Sequence, residues 1–235
     1  MTDVVLVHGS TQSAAGFWRL VDALARRGHR ALTVDVPSAA VASSAAYAER
    51  LAAQLPADVH RPVVAAHSVA GMLLPALAAR LDAAHQVWLA AAVADYAGGR
   101  SLATEIYADP PAVFNPEWFG VDPTSDPVLA TYFLFHDADL ATLRQALATV
   151  AVCDLSAIYA ETPSIDPAAR ASTYLLPIAD RVLTHAGMSG MASERLHIDP
   201  IEVPGGHNNY VAYPDLIADA IHQAAEASVT TTHPS

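Results

Sequence analysis

The sequence predicts an α/β domain, with a mostly parallel sheet of about six strands, helices on both faces and a small helical cap insertion. Apolar runs of strand length alternate along the chain with segments of helical periodicity, as in β-α-β units. Between about residues 95 and 170 this alternation stops and prolines become frequent, which is typical of an insertion over the carboxyl ends of the strands. We therefore expect a single domain over residues 1–235, with a cap at about 95–170 and a loose tail from about 227.

Six apolar runs are predicted to be the strands of this sheet. Each has the length of a strand and is followed by residues that favour a turn or the start of a helix. Their apolar character is typical of parallel strands, which are covered by helices on both faces. The runs are residues 4–7, 31–36, the first half of 61–71, 86–93, 174–178 and 197–203.

Helical periodicity predicts the elements between the strands. The first helix ends at Gly28, and the second starts from a cap at Ser43 or Ser44. The third continues from Ser68 and contains Pro75, where we expect a local bend. The apolar faces are Phe17, Leu20, Val21 and Leu24; Tyr47, Leu51 and Leu55; Leu73, Leu77 and Leu81; Leu140, Leu143 and Leu147 in the cap; and Leu216, Ile217, Ala220, Ile221 and Ala224.

The segment 61–71 places Ser68 at a corner between a buried strand and a helix. Such a corner holds its residue in a strained backbone conformation, exposes the side chain and tolerates only small neighbours two positions away. Those neighbours are Ala66 and Ala70, where glycine is usual. Ser68 is therefore the predicted nucleophile, and the alternative is that it only caps the following helix.

A serine attacks a carbonyl group when a base removes its proton and a third group orients that base. His207 follows a strand and a glycine-rich loop and is the candidate base, unless it is only a structural loop histidine. Asp180, just past another strand, is the candidate acid, although Asp95 also follows a predicted strand and could supply it. The three common serine triads differ in the order of their residues along the chain. The order Ser68, Asp180, His207 is the one expected for a serine at a strand-to-helix corner, and it differs from the order of the other two.

The first strand ends in His8-Gly9-Ser10, whose backbone can supply half of an oxyanion hole. The candidate donors are the main-chain N–H groups of Ser10 and Val69, each worth roughly 3 kcal/mol of barrier. Gly9 would let the loop approach the nucleophile closely. His8 and His67 are expected to shape their turns and not to transfer protons.

These motifs resemble those of the α/β-hydrolase superfamily over nearly the whole chain. Within it the chain is most similar to the compact branch of plant methylesterases and hydroxynitrile lyases, which includes small bacterial esterase-like proteins. In the lyases a threonine tends to follow the first histidine and a lysine the catalytic one; here Gly9 and Asn208 stand there, which disfavours cyanohydrin cleavage. The matching motifs are Leu6-Val7-His8-Gly9, Ala66-His67-Ser68-Val69-Ala70-Gly71, Asp180-Arg181-Val182 and Pro204-Gly205-Gly206-His207.

The composition narrows the range of partners and compartments. The chain has 12 basic and 24 acidic residues and a net charge of -12, which repels nucleic acids and anionic membranes. Its one cysteine, Cys153, excludes an internal disulfide and is expected to be buried. A single cysteine suits a reducing compartment, so we expect a cytoplasmic protein without a targeting segment. No histidine spacing indicates a metal and no glycine-rich motif indicates a nucleotide, so we predict no cofactor.

Aromatic residues are dense in the predicted cap and could form the wall of a substrate pocket, with Trp118 as the substrate-binding candidate. The alternative is that they only pack the cap onto the core. The expected partner is a small-molecule substrate, and whether the chain forms a homo-oligomer is left open. The other aromatic residues are Tyr107, Phe114, Phe119, Tyr132, Phe133 and Phe135.

The main functional hypothesis is hydrolysis of a small, largely apolar carboxylic ester or thioester through an acyl-serine. A second hypothesis uses the same site for elimination or ring closure, with His207 as acid and base. A third is a small-molecule binding protein with a slow or inactive triad. The fold alone does not separate these hypotheses, because one scaffold hosts many chemistries.

Overall fold

The computed structural model describes residues 1–230 and contains a sheet of six strands. All five pairs of neighbouring strands are parallel. Every residue of the third and fourth strands is buried, as expected for strands covered on both faces. The strands are β1 (Asp3–Val7), β2 (Arg30–Val34), β3 (Val63–His67), β4 (His85–Leu89), β5 (Ser172–Pro177) and β6 (Ile201–Val203).

The strand order places the topological switch point of the sheet between β1 and β3. The order is β2-β1-β3-β4-β5-β6, so the chain winds outward from β1 in one direction and then in the other. In open parallel sheets, ligands bind beyond the carboxyl ends of the strands where this direction reverses. The loops after β1 and β3 begin at this point.

Helices cover both faces of the sheet. The first helix of the chain packs against the last and the second against the third, and both the third and the last contact β3 and β4. The predicted fold class is thereby confirmed. Between β4 and β5 the chain forms α4 to α8. The helices are α1 (Trp18–Arg26), α2 (Ser44–Ala52), α3 (Leu74–Arg80), α4 (Leu102–Ala108), α5 (Pro110–Val113), α6 (Pro127–Leu134), α7 (Leu140–Leu147), α8 (Ser156–Ala160), α9 (His185–Gly190), α10 (Asn209–Ala212) and α11 (Pro214–Thr230).

Two strands are shorter than predicted. The apolar run 86–93 leaves the sheet after Leu89, because Ala90 has a φ of 45° that an extended strand does not allow. The run stays buried, and its Ala92 amide donates to the carbonyl oxygen of Ser68 over 3.1 Å. The run 197–203 is a strand only over β6, since His197 has a φ of 57° and Pro200 has no N–H to donate.

Two predictions about helices are also corrected. Pro75 lies in the first turn of α3, where its missing N–H costs no hydrogen bond, because a separate 3-10 segment, Ser68–Leu73, precedes that helix. The predicted tail from about 227 is helical as far as Thr230, since α11 continues to that residue. The rest of the predicted tail lies outside the described residues.

Candidate active site

Ser68 occupies the corner between β3 and the 3-10 segment and is half-buried. Its φ of 59° lies in the left-handed region, which costs a non-glycine residue about 1–3 kcal/mol. The neighbours Ala66 and Ala70 are fully buried, so a larger side chain at either position would have to displace packed atoms. The strained corner expected from the sequence is therefore present.

His207 joins Ser68 to Asp180 through two hydrogen bonds. Its Nε2 lies 2.9 Å from Oγ of Ser68, and its Nδ1 lies 2.8 Å from Oδ2 of Asp180. The side chains of His207 and Asp180 are each 1% exposed. Since a carboxylate only accepts, Nδ1 carries the proton and Nε2 is free to accept from the serine hydroxyl. The structure brings these three sequence-predicted residues together.

The second oxygen of Asp180 fixes the orientation of its carboxylate. Oδ1 accepts hydrogen bonds from the amides of Val182 and Leu183 at 2.7 and 3.0 Å. These contacts arise from the turn that follows β5, so the acid is positioned by its own loop. The orientation of the imidazole is in turn set by the acid.

Asp95, the alternative acid, has different partners. Its Oδ2 accepts from Nε of Arg100 at 2.6 Å and its Oδ1 from the amide of Gly98 at 2.9 Å. Burial opposes its ionisation, but these hydrogen bonds hold the pKa of Asp95 below its usual range. Asp95 therefore closes a turn, and Asp180 is the carboxylate against His207.

His67 positions the backbone of His207. Its Nε2 donates to the His207 carbonyl oxygen over 3.0 Å, and the two rings are 4.6 Å apart. Burial, with a smaller contribution from His207, lowers the pKa of His67 well below its usual value. His67 is thus a neutral structural donor, which agrees with the turn-shaping role expected from the sequence.

The loop that carries His207 is also held from the cap. Oδ2 of Asp137 accepts from the amide of Gly206 at 2.9 Å. Gly205 has a φ of 93°, and a Cβ atom there would lie 2.3 Å from that carboxylate oxygen, so only glycine fits. Sequence reasoning missed Asp137, because nothing local to it indicates a contact with a loop 69 residues away.

His8 orients the loop after β1. Its Nε2 accepts from the Val36 amide at 2.9 Å, so its Nδ1 carries the proton and donates to the Gly9 carbonyl oxygen at 2.8 Å. Burial lowers the pKa of His8 and keeps the ring neutral. In a trans peptide the N–H points opposite to the C=O, so the Ser10 N–H is turned away from His8.

Both predicted oxyanion donors have N–H groups without a local acceptor. The Ser10 amide donates to no other residue in the described part of the chain. Val69 is the second residue of its 3-10 segment, a position without an acceptor in the same segment. Their use as an oxyanion hole stays a prediction.

A strand-like segment of the cap, residues 149–153, pairs with the loop 9–13. The amide of Cys153 donates to the Ser10 carbonyl oxygen at 2.9 Å, and the amide of Ser13 donates to the Thr149 carbonyl oxygen at 3.1 Å. Cys153 is buried, as expected, and burial raises the pKa of its thiol to about 11. Sequence reasoning missed this pairing, because its partners are more than 130 residues apart.

An open groove of about 590 Å³ is lined by Ser10 and Thr11 on one side and by residues of the cap. Trp118, the predicted substrate-binding residue, lines this groove and packs edge-on against Phe133 at 5.2 Å. Of the six other aromatic residues predicted to wall the pocket, three are buried and three are exposed. The buried ones are Phe114, Phe133 and Phe135, and the exposed ones are Tyr107, Phe119 and Tyr132. The groove therefore includes one of the seven aromatic residues, and packing accounts for the buried three.

Residues 1–230 contain neither a metal-binding cluster nor a membrane-spanning helix. That range contains no group of three or more histidine, cysteine, aspartate or glutamate side chains arranged to hold a metal ion. None of the helices in the same range is both long and apolar enough to cross a lipid bilayer.

Comparison with known proteins gives a family match over most of the chain. The profile of the alpha/beta hydrolase family matches residues 4–220. No curated protein sequence matches significantly. Among solved structures, the chain is similar to a pyrethroid hydrolase from Sphingobium faniae, with 19% identity and a TM-score of 0.77 over 96% of this chain and 98% of that chain.

Two further structures show the same fold. Polyneuridine aldehyde esterase has 16% identity and a TM-score of 0.79, over 96% of this chain and 99% of that chain. The methylesterase MES16 from Arabidopsis has 14% identity and a TM-score of 0.70, over the same shares of the two chains. At these identities the likeness shows a common fold.

Proposed function

The chain belongs to the alpha/beta hydrolase family, and we propose that it hydrolyses a carboxylic ester or thioester through an acyl-serine intermediate. The family match confirms the α/β-hydrolase enzyme expected from the motifs. The observation that carries the proposal is the continuous hydrogen-bonded path from Ser68 through His207 to Asp180. Such a path activates a hydroxyl that is otherwise a weak nucleophile.

In the first half of the reaction, Oγ of Ser68 attacks the carbonyl carbon while Nε2 of His207 takes the hydroxyl proton. The carbonyl oxygen becomes negative and accepts hydrogen bonds from the N–H groups of Ser10 and Val69. Asp180 stabilises the imidazolium that forms. The bond to the leaving alcohol or thiol then breaks, and His207 gives the proton to that leaving group.

In the second half, a water molecule attacks the acyl-serine. His207 takes a proton from the water, and the same two N–H groups bind the negative oxygen. The bond from the acyl carbon to Oγ breaks, and the proton returns to Ser68. The products are the free acid and the unchanged enzyme.

The groove and the comparisons support an ester with a largely apolar part. Apolar atoms dominate the surface of the groove that Ser10 and Trp118 help to line. Two of the similar structures are named as an esterase and a methylesterase. The groove supports an apolar substituent, and the two names favour ester hydrolysis over the elimination or ring closure considered from the sequence, which would need no acyl intermediate.

The test is covalent labelling by a fluorophosphonate, followed by intact mass spectrometry. We expect one adduct on the parent protein and none on Ser68→Ala. The control is Ser193→Ala, whose hydroxyl is exposed and donates only to main-chain carbonyl oxygens of α9, and this variant should label like the parent. Equal labelling of Ser68→Ala and the parent would contradict the acyl-serine proposal.

A pre-steady-state assay adds a second readout. With p-nitrophenyl butyrate in excess, an acyl-serine enzyme with slow deacylation releases a burst of p-nitrophenol equal to the enzyme concentration.

The alternative functions predict different results. Elimination or ring closure through His207 predicts that Ser68→Ala keeps much of the activity on the natural substrate, and that His207→Ala loses it. A binding protein with an inactive triad predicts neither label nor turnover.

A further inference from the structure

The groove beside Ser10 has an apolar surface and two carboxylates. Trp118, Val121, Leu155 and Tyr159 contribute to its walls. Asp122 and Asp154 also line it, and both residues are exposed. A substrate group in this groove would contact apolar atoms and lie within reach of two negative charges.

Both carboxylates are held in place by hydrogen bonds that favour their charged form. Oδ1 of Asp122 accepts from the amide and the hydroxyl of Thr124. Oδ1 of Asp154 accepts from the amide of Ser156 at 2.9 Å. These bonds lower the pKa of Asp122 and of Asp154, so both are ionised at neutral pH.

No cation offsets these two charges. Neither carboxylate belongs to an ion pair among residues 1–230, and no basic residue lines the groove. The chain contains no lysine, and its net charge is -12. Arg181, beside Asp180 in sequence, points to a different surface, where it stacks on the Tyr132 ring at 4.3 Å and donates to the Tyr132 carbonyl oxygen.

We propose that this groove selects substrates by charge: it accepts an uncharged or cationic apolar substituent of the ester and discriminates against an anionic one. The inference rests on the proposed ester hydrolysis and specifies its substrate class. Carboxylate- and phosphate-bearing substrates, including coenzyme A thioesters, would meet two negative charges and no cation. Neutral esters would meet only the apolar wall.

The size of the effect follows from the distance and from screening. Two exposed charges discriminate about tenfold against an anion that lies about 6 Å from each of them in water at low salt, and the effect weakens as the Debye length shortens. Neutral substrates should show no such salt dependence. The expected signature is therefore a neutral-to-anionic ratio of kcat/KM that decreases with added salt.

The experiment compares p-nitrophenyl valerate with the p-nitrophenyl monoester of glutaric acid, which carries a carboxylate on a chain of similar length. A second series places the charge on the alcohol side, because either part of the ester can occupy the groove. Trimethylammonium analogues complete both series. For the parent we expect a neutral-to-anionic ratio of kcat/KM of about ten in the series whose charged part occupies the groove.

The variant Asp122→Asn/Asp154→Asn should lower that ratio at least threefold, because kcat/KM for the anionic ester rises when the two negative charges are removed. The control Asp22→Asn/Asp199→Asn removes the same net charge from two exposed residues that do not line the groove and belong to no ion pair among residues 1–230. It should keep the parent ratio. Equal ratios in the parent and the groove variant, in both series, would overturn the charge-selection inference.

The two proposals fail in different ways. If the neutral ester is hydrolysed and the serine is labelled, but the groove variant shows the parent ratio, ester hydrolysis stands and charge selection is wrong. If no ester is hydrolysed and no fluorophosphonate adduct forms, the proposed function is wrong and charge selection falls with it. A circular dichroism spectrum and melting curve of each variant show that the folded protein is being compared.

Discussion

Gly9 lies so close to Ser68 that a Cβ atom at position 9 would be 2.7 Å from Cβ of the serine. The same atom would be 3.2 Å from the His67 carbonyl oxygen. Carbon atoms in packed protein do not approach to 2.7 Å, so any side chain at position 9 must move the loop away from the nucleophile. That loop carries the Ser10 amide, so this contact determines how close the proposed oxyanion donor comes to the serine.

The substitution Gly9→Ala should therefore lower kcat by about 10²- to 10³-fold, the loss typical of removing one oxyanion donor. The fold should remain, because the loop lies at the edge of the sheet. The measurement is kcat and KM on p-nitrophenyl butyrate, together with a melting curve. The control is Gly190→Ala in α9, where the nearest atom to a new Cβ is 3.9 Å away. Full activity of Gly9→Ala would show that the loop is not part of the oxyanion site.

The assignment of the acid predicts opposite results for two aspartates. Asp180→Asn should lower kcat about 10⁴-fold, because an amide cannot hold His207 in the productive tautomer. Asp95→Asn should change kcat little, since Asp95 bonds to Arg100 and Gly98 and not to the imidazole. The measurement is kcat/KM for both variants in one assay. A larger loss for Asp95→Asn would reverse the assignment.

The Cys153 thiol should react slowly in the folded protein. Its pKa is raised to about 11 by burial, so at pH 8 it has about 100-fold less thiolate than an ordinary cysteine. A thiol-reactive disulfide reagent should label the native protein slowly and the urea-unfolded protein fast. Rapid labelling of the native protein would indicate that the pairing of residues 149–153 with the loop 9–13 opens frequently.

His85 should contribute to loss of stability in acid. It is buried, with Nε2 2.9 Å from Oγ1 of Thr173, and burial lowers its pKa below the value of 6.5 in unfolded chains. Between the folded and unfolded pKa values the unfolded state binds more protons, so the free energy of unfolding falls as the pH drops below about 6.5. One such group contributes a slope of up to about 1.4 kcal/mol per pH unit.

The variant His85→Gln keeps a side chain that can bond to Thr173 and removes the titrating group. Its free energy of unfolding, measured by urea titration from pH 7.5 to 4.5, should fall less steeply than that of the parent. His60→Gln, at an exposed position, controls for the loss of a surface imidazole. A parent slope retained in His85→Gln would show that other groups cause the acid sensitivity.

Local sequence determined the fold class and the serine corner of this protein. Apolar runs of four to eight residues separated by helical faces predict a parallel sheet, because each pattern depends only on neighbouring residues. The small residues around Ser68 and the glycines before His207 likewise indicate turns, because a tight turn restricts the backbone and the side-chain size at only a few neighbouring positions. Strand ends were less predictable: Ala90 leaves the sheet although its side chain is as apolar as those of the strand before it.

Tertiary structure alone decided which distant groups meet. Nothing near Asp180 or Asp95 in sequence shows which carboxylate lies against His207; the strand order and the turn after β5 decide it. The contacts of Asp137 with the His207 loop and of Cys153 with the Ser10 loop are of the same kind. The physical reason is that periodicity encodes which face of an element is buried. The position of a side chain at an active site depends instead on how elements far apart in the chain pack together.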